Sequence, residues 1–301
     1  MRVIRARGFT LLELLVVMGL LILLAVLTGI GVNRLANEAR LSSGVNQVLA
    51  SLGNARAYAI KNNVTTMLGF TVRVNPDRLS EGEQVELVLA EYKEVIEVGG
   101  YTYEMFVPVP GLKAVELPEG IKVAGSISGS LDVQAVDSQL SGYGLSADTI
   151  WVSQPGGSWR LVSGRPNSEE SGRQIAVIFG PDGTMATRNV MNAGASGERV
   201  WPFIDFNGNR LMDRYDVVSG GNPWYLSYTG YNDVGDELDI FPCQFLAVYD
   251  DEEARKALGD DGWSGSGGDL QRIVDITRWV DEYGAPIHFN RYTGVAEVDR
   301  Q

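Results

Sequence analysis

Histidine and cysteine are almost absent from this sequence of 301 residues, which contains one of each. The single cysteine, Cys243, excludes an intrachain disulfide, and its apolar neighbours "DIFPCQFLAVY" predict a buried thiol in a strand. His288 also lies in a predicted strand, where a structural role is favoured over that of a catalytic base. The sequence has no G-x-S-x-G, H-E-x-x-H, C-x-x-C or phosphate-loop motif. We therefore expect a protein that is not an enzyme.

Positive charge is also scarce. The chain has 25 Lys and Arg against 38 Asp and Glu, which gives a formal net charge of −13. Three of the basic residues, Arg2, Arg5 and Arg7, precede the first apolar run, so the remainder is more acidic still. Because phosphate contacts dominate affinity for nucleic acid, we do not expect a nucleic-acid partner. A hydrophobic content of 45% excludes a disordered chain.

The long apolar run at residues 9–32 contains one charged residue, Glu13. A helix of this length reaches about 36 Å, and the hydrocarbon core of a bilayer is about 30 Å thick. The preceding arginines predict a cytoplasmic N-terminus, with the rest of the chain exported. A cleaved signal peptide would have a shorter apolar core, and a plain signal anchor explains the span. Neither explains Glu13, since a charge there costs about 2.5–3.5 kcal/mol on insertion scales.

The residues "RGFTLLELLVVMGLLILLAVL" resemble the class III prepilin signal of type IV pilins and type II secretion pseudopilins. The resemblance implies that a prepilin peptidase cuts after Gly8 and methylates the new amine of Phe9. It also implies that Glu13 of one subunit lies beside the Phe9 ammonium of a neighbour in a filament, so that each buried charge is paired. Residues 1–8 would then be a leader peptide, and residues 9–32 a transmembrane and filament-core helix.

Residues 33–62 predict an amphipathic helix that continues the span. Apolar residues recur there at helical spacing, with a weak point expected at Gly44; they are Val45, Val48, Leu49, Leu52, Ala55 and Ala59. Residues 63–301 predict a β-rich periplasmic head. The overall expectation is an α+β fold, in which one long N-terminal helix packs on an antiparallel head.

Within the head, alternating apolar residues predict a series of strands, a late surface helix and a closing hairpin. The strands are predicted at 64–74, 84–98, 101–109, 112–118, 148–154, 173–180, 199–206 and 243–249. The helix is predicted at 269–284, and the hairpin at 286–298 has its turn near Thr293 and Gly294. Segments rich in Gly and Ser predict loops at about 124–146, 153–173 and 259–269.

The segment "DFNGNRLMDRYD" resembles an EF-hand calcium loop in its spacing. The residues at loop positions 1, 3, 5, 7, 9 and 12 are Asp205, Asn207, Asn209, Leu211, Asp213 and Asp216. Two departures are Arg210 at the usual glycine position and the short Asp216 at the usual glutamate position; Gly208 would supply the tight turn instead. The alternative is a solvated Asn/Asp/Gly turn between strands. The acidic runs at 232–239 and 250–253 predict a solvated face or the start of a helix.

The pilin-like resemblance implies a structural subunit, most specifically a minor pseudopilin of a type II secretion pseudopilus. The expected partners are other pilin-like subunits, prepilin peptidase and an inner-membrane assembly platform, with calcium as the expected cofactor. The expected location is a single pass through the bacterial inner membrane, followed by a periplasmic or surface filament. The segments 54–70, 175–185 and 287–298 also resemble the H-type minor pseudopilins. Alternatives are a surface type IV pilus subunit and a membrane-anchored periplasmic binding or hydrolytic domain.

Overall fold

A computed structural model of the chain describes residues 11–74, 83–98, 101–126, 151–153, 174–186, 200–206, 208, 210, 240–264, 269–290 and 292–298, without the side chains of 25–34 and of some other positions. The helices are α1 (Leu11–Asn62), α2 (Asp251–Ser264) and α3 (Asp269–Tyr283). The strands are β1 (Thr66–Val74), β2 (Glu83–Val98), β3 (Tyr101–Pro108), β4 (Val115–Glu116), β5 (Ile121–Ser126), β6 (Trp151–Ser153), β7 (Gln174–Phe179), β8 (Val200–Ile204), β9 (Ile240–Pro242), β10 (Leu246–Asp250), β11 (Ala285–Phe289) and β12 (Ala296–Val298). The fold is α+β, as predicted.

In the described part of the chain, the strands form two sheets. The larger has seven strands in the order β8-β3-β2-β1-β7-β9, with β4 paired to β2; the smaller has five in the order β12-β11-β10-β5-β6. β1–β2 and β2–β3 are antiparallel hairpins and β1 also pairs antiparallel with β7, but β3 with β8 and β7 with β9 are parallel. The prediction of an antiparallel head is therefore wrong for these two pairs. Parallel strands require a long crossover connection, and long segments separate both pairs in the sequence.

The strand β1 shows how the larger sheet sorts its apolar residues. Leu68 and Phe70 face one core, whereas Met67 faces a second core on the opposite side of the sheet. Because side chains alternate along a strand, a continuous apolar run fills both faces. The first core also contains residues of β5 and β10, so it lies between the larger sheet, the smaller sheet and α1.

The second part of α1 carries the predicted apolar face. Val48, Leu52, Ala55 and Ala59 are buried at 0–1% exposure and belong to the first core. Val45 and Leu49 are half-buried and pack against the same core. We call these six residues the α1 seam; their spacing keeps them on one side of a 3.6-residue helix.

Gly44, the predicted weak point, lies inside α1 without a break in the helix. It is buried, and a Cβ atom at this position would lie 2.7 Å from Ile121 Cγ2 on β5. The residue therefore permits a close approach of helix and strand. That approach explains why a poor helix former is retained inside the helix.

The end of α1 is tied to two hairpin turns by Arg56. Its Nε donates to the carbonyl oxygen of Gly183 at 3.1 Å and to that of Thr293 at 2.7 Å. The predicted turn near Thr293 and Gly294 is confirmed: Gly294 has φ 69° and its N–H donates to the Asn290 carbonyl oxygen at 2.7 Å. We call this arrangement the Arg56 clasp. It joins α1 to the turn after β7 and to the turn between β11 and β12.

Candidate functional site

The predicted processing residues, Gly8 and Phe9, lie outside the described residues. Glu13 lies in the first turn of α1 and is exposed. Around it, each large apolar side chain of residues 11–24 is at least half exposed, from 50% at Val17 to 83% at Leu11. A helix that is apolar on all sides is suited to an apolar environment, such as lipid or neighbouring helices.

The two described parts of α1 thus differ in kind. Residues 11–24 expose apolar side chains around the whole helix, whereas residues 35–62 bury one apolar face on the head. Within the part of the chain that the structure describes, no helix combines the length and the apolar character needed to cross a membrane. The predicted span, residues 9–32, includes positions 9 and 10 and the side chains of 25–32, which lie outside that part.

The predicted first calcium ligand, Asp205, follows β8 directly and is 1% exposed. Its backbone N–H donates to the Phe106 carbonyl oxygen at 2.8 Å, which continues the pairing of β8 with β3. Its carboxylate accepts two backbone N–H groups of the turn, at Oδ1 from Gly208 (2.6 Å) and at Oδ2 from Arg210 (3.1 Å). The aspartate therefore organises a tight turn around its own carboxylate.

The calcium pattern has Arg210 at its usual glycine position, and the backbone of this turn shows which conformation that residue adopts. Gly208 has φ 75°, as its predicted turn role requires, and Arg210 has φ 63°. An L-residue in this left-handed region is disfavoured by about 1–2 kcal/mol. The Arg210 guanidinium forms an ion pair with Glu94 on β2, with Nε 2.9 Å from Oε1. Arg210 thus adopts the conformation that glycine supplies in the usual loop, held by contacts at both its backbone and its side chain.

The fit to calcium can be tested for part of the predicted set. A carboxylate oxygen has two lone pairs, so each oxygen of Asp205 retains acceptor capacity beyond the hydrogen bonds described above. Asn207, Asn209, Leu211, Asp213 and Asp216 lie outside the described residues. Among the described residues, no group of three or more His, Cys, Asp or Glu side chains is placed to hold a metal ion. Asp205 fits a first ligand, and the calcium site as a whole stays a prediction.

The acidic run at 250–253 is the start of a helix, which was one of the two predicted alternatives. Asp250 Oδ1 accepts the N–H groups of Glu252 (3.0 Å) and Glu253 (3.1 Å), and so caps α2. Asp250 and Asp251 are buried at 8% and 5% exposure, so they do not form a solvated face. Asp251 Oδ2 lies 3.1 Å from Lys122 Nζ on β5.

Sequence reasoning missed that this helix start also contacts α1. Arg40 Nη2 lies 3.4 Å from Asp250 Oδ2 and 3.1 Å from Glu252 Oε2. Asn37 Nδ2 donates to Glu253 Oε1 at 2.8 Å, and its Oδ1 accepts from Arg40 Nη2 at 2.9 Å. We call Asn37, Arg40, Asp250, Glu252 and Glu253 the charged junction. The only sequence signal was an acidic run directly after an apolar strand.

Cys243 is buried at 3% exposure, as predicted, although it follows β9 and is not inside a strand. Burial raises the pKa of its thiol to about 12, and its N–H donates to the Ala176 carbonyl oxygen at 2.7 Å. A Cβ atom at Gly125 would clash with its Sγ, which shows how closely the thiol is packed. The thiol is therefore protonated and shielded at neutral pH.

Comparison with known proteins gives no match: no protein-family model, no curated protein and no solved structure is similar to this chain. The described residues provide an apolar helix segment with one carboxylate, a head docked on the rest of that helix, an organised aspartate turn and the charged junction.

Proposed function

We propose that this chain is a type IV pilin-like subunit, most specifically a minor pseudopilin of a type II secretion pseudopilus. It is processed after Gly8, inserted in the inner membrane and assembled through one long N-terminal helix. Residues 9–32 form the membrane and filament-core half of that helix, and residues 33–62 pack on the periplasmic head of residues 63–301. The role is structural, without catalysis, and a surface type IV pilus subunit is the second candidate.

The observation that carries this proposal is the contrast between the two described parts of α1. Burying the exposed apolar side chains of residues 11–24 contributes about 25 cal/mol per Å², whether against lipid or against helices of other subunits. The head cannot supply that burial, because it is docked on residues 35–62 through the α1 seam. A subunit whose helix moves from lipid into a filament uses the same apolar surface in both places.

The position of Glu13 supports assembly in particular. A carboxylate in an apolar medium requires a close cation, since burying one charge without its partner is strongly unfavourable. In the proposed filament that cation is the ammonium of Phe9, which exists only after cleavage at Gly8. Processing and assembly are thereby linked through one ion pair between neighbouring subunits.

The choice between the two machines follows from charge. The head is acidic, and uptake of DNA requires a surface that attracts phosphate. The secretion pseudopilus is therefore favoured over a pilus that binds DNA. Its expected partners are other pilin-like subunits, prepilin peptidase and an inner-membrane assembly platform.

Coexpression with a prepilin peptidase tests the processing step. We expect a mature chain that begins at Phe9, and Gly8→Val blocks the cut because a branched side chain does not fit a site built for glycine. Gly19→Val is the matched control, since a Cβ atom there meets nothing within 4 Å. Intact-mass analysis and N-terminal sequencing give the readout. A full-length chain in the presence of active peptidase contradicts the proposal.

Substitution of Glu13 tests assembly separately. We expect Glu13→Val to enter the membrane normally, because it removes a charge, and to be incorporated poorly into filaments, because a neighbour's Phe9 ammonium loses its partner. Glu38→Val changes an exposed glutamate of the same helix outside the apolar run, and we expect normal incorporation. Filament fractions are compared by immunoblot; equal amounts of the Glu13→Val and wild-type chains would refute the pairing.

A second, separable proposal is that calcium binds at the Asp205 turn. The supporting observation is the left-handed conformation at Gly208 and Arg210 around a buried aspartate. A head that works outside the cytoplasm meets calcium at concentrations that weak extracellular sites use.

A further inference from the structure

α1 meets the head through two kinds of contact. The α1 seam, at residues 45–59, is apolar and includes four fully buried side chains. N-terminal to Gly44, Leu41 is half-buried against the same core, and the contacts described beyond it are polar. Those polar contacts are the ones of Asn37 and Arg40 in the charged junction.

The charged junction is a weaker attachment than the seam. Arg40 is 30% exposed and Glu252 is 45% exposed, so water and salt screen their interaction. Asp250 is the buried member at 8% exposure, and Arg40 approaches it at 3.4 Å. Arg40 Nη2 is shared among three acceptors, and Arg40 Nε is buried without a hydrogen-bond acceptor among the described residues. An arginine held in this way depends on the negative charge of its partners.

We propose that the charged junction is a latch: when Asp250 and Glu252 lose their charge, residues 35–40 of α1 separate from the head, while the α1 seam stays docked. The direction in which the apolar part of α1 leaves the head is then controlled by pH and by salt. The inference does not depend on the proposed function, since it concerns contacts within one chain.

The response to acid follows from the surroundings of Asp250. Burial raises the pKa of Asp250, while the N–H groups of Glu253 and Glu252 and the Arg40 guanidinium lower it. The charged groups that face it are Arg40 from α1 and Glu252, Glu253 and Lys256 from α2; next to it, Asp251 of α2 is paired with Lys122 of β5. Asp250 in the latch therefore loses its charge at a higher pH than an exposed aspartate would. The protonated carboxyl still accepts the two N–H groups, so α2 keeps its cap.

Distances between spin labels on the full-length chain in detergent micelles test the latch. One pair joins Leu35→Cys on α1 and Ala257→Cys on α2, both exposed positions. The reference pair joins Lys61→Cys and Ala257→Cys, and Lys61 lies beyond the seam. The native Cys243 is buried with a pKa raised to about 12, so it stays unlabelled at neutral pH.

The decisive variant is Asp250→Asn with Glu252→Gln at neutral pH, since asparagine retains the helix cap without the charge. We expect the narrow 35–257 distance of the wild type to be lost and replaced by a longer, broader distribution, with the 61–257 distance unchanged. Acidifying the wild type produces the same change. Arg56→Gln is the control, because it removes a cation at the opposite end of the docked helix.

Three results would overturn the latch. The first is an unchanged 35–257 distance in the double variant and in acid. The second is a change in both distances together, which means that the whole helix leaves the head or that the head unfolds. The third is the same broadening with Arg56→Gln, which shows that the response does not belong to the charged junction.

Discussion

Replacing Gly44 by alanine tests whether close approach to β5, and not helix flexibility, explains this glycine. An added Cβ atom would lie 2.7 Å from Ile121 Cγ2, and Ile121 is only 1% exposed. This Cγ2 is the branch methyl group of a buried side chain, so it cannot move aside as the end of a flexible side chain would. Overpacking of this kind destabilises by about 1–3 kcal/mol.

The same substitution also stabilises the helix itself. Alanine is about 1 kcal/mol more favourable than glycine inside a helix. The net expectation for Gly44→Ala is therefore a loss of up to about 2 kcal/mol in the free energy of unfolding. Gly53 is the matched control: it is exposed on the same helix, and a Cβ atom there meets nothing within 4 Å. Gly53→Ala is expected to stabilise by up to about 1 kcal/mol.

Urea unfolding of the full chain in detergent, followed by tryptophan fluorescence of the head, measures both variants. A second comparison isolates the contact: in an Ile121→Ala background, which removes the clashing methyl group, Gly44→Ala is expected to stabilise instead of destabilise. A Gly44→Ala variant that is as stabilised as Gly53→Ala would refute the reasoning. So would a destabilisation of equal size in both backgrounds.

Two further predictions concern aspartates. Millimolar calcium is expected to raise the melting temperature of the wild type above its value in chelator. At a hundredfold excess over Kd, binding stabilises the folded state by about 2.7 kcal/mol, and Asp205→Ala loses this stabilisation. Asp182→Ala, which removes another aspartate turn, keeps it; equal melting of the wild type in calcium and in chelator would contradict the site. Burial raises the pKa of Asp250 above its usual value, so the ionised carboxylate disfavours folding at neutral pH. We therefore expect the wild type to gain stability relative to Asp250→Asn as the pH falls through the raised pKa. Urea midpoints of the two chains between pH 7 and 4 measure this, and a constant difference would exclude it.

The helices and strands that follow a clear period were predictable from the sequence. Apolar strand-length runs in β1, β2, β3, β7 and β10 and helical spacing in α3 predicted these elements within a few residues. The α1 seam was predictable for the same reason, since its apolar residues recur on one face. Helical spacing reports the α1 seam because one face of that helix is buried and the other is not, whereas β1, β7 and β10 are buried on both faces and show in the sequence as short apolar runs.

Three elements were missed or misplaced because their local composition is weak. β5 ends in "AGS" and merges into a segment rich in Gly and Ser, so residues 124–126 were predicted as loop. β9 is three residues long and contains a proline. Residues 259–264 were also predicted as loop, yet they belong to α2. Partner strands that lie elsewhere in the sequence stabilise β5 and β9, and the Asp250 cap stabilises the start of α2.

For the candidate sites too, local features were predictable from the sequence, whereas contacts between distant residues were not. The spacing after β8 predicted an aspartate turn, and Asp205 forms one. It did not predict the ion pair of Arg210 with Glu94, 116 positions away in the sequence. The charged junction joins Arg40 to Asp250, 210 positions away, and no local pattern reports such a contact.

The Arg56 clasp has a consequence for how the chain reaches its native state. Arg56 donates to Thr293, 237 positions further along the chain. The smaller sheet likewise places β5 next to β10, and β10 next to β11. Contacts so distant in sequence form late, because the intervening chain must be synthesised and ordered first. The apolar side of the helix can pack on β1 early, and it is fully covered only when β10, β11 and β12 have joined the fold.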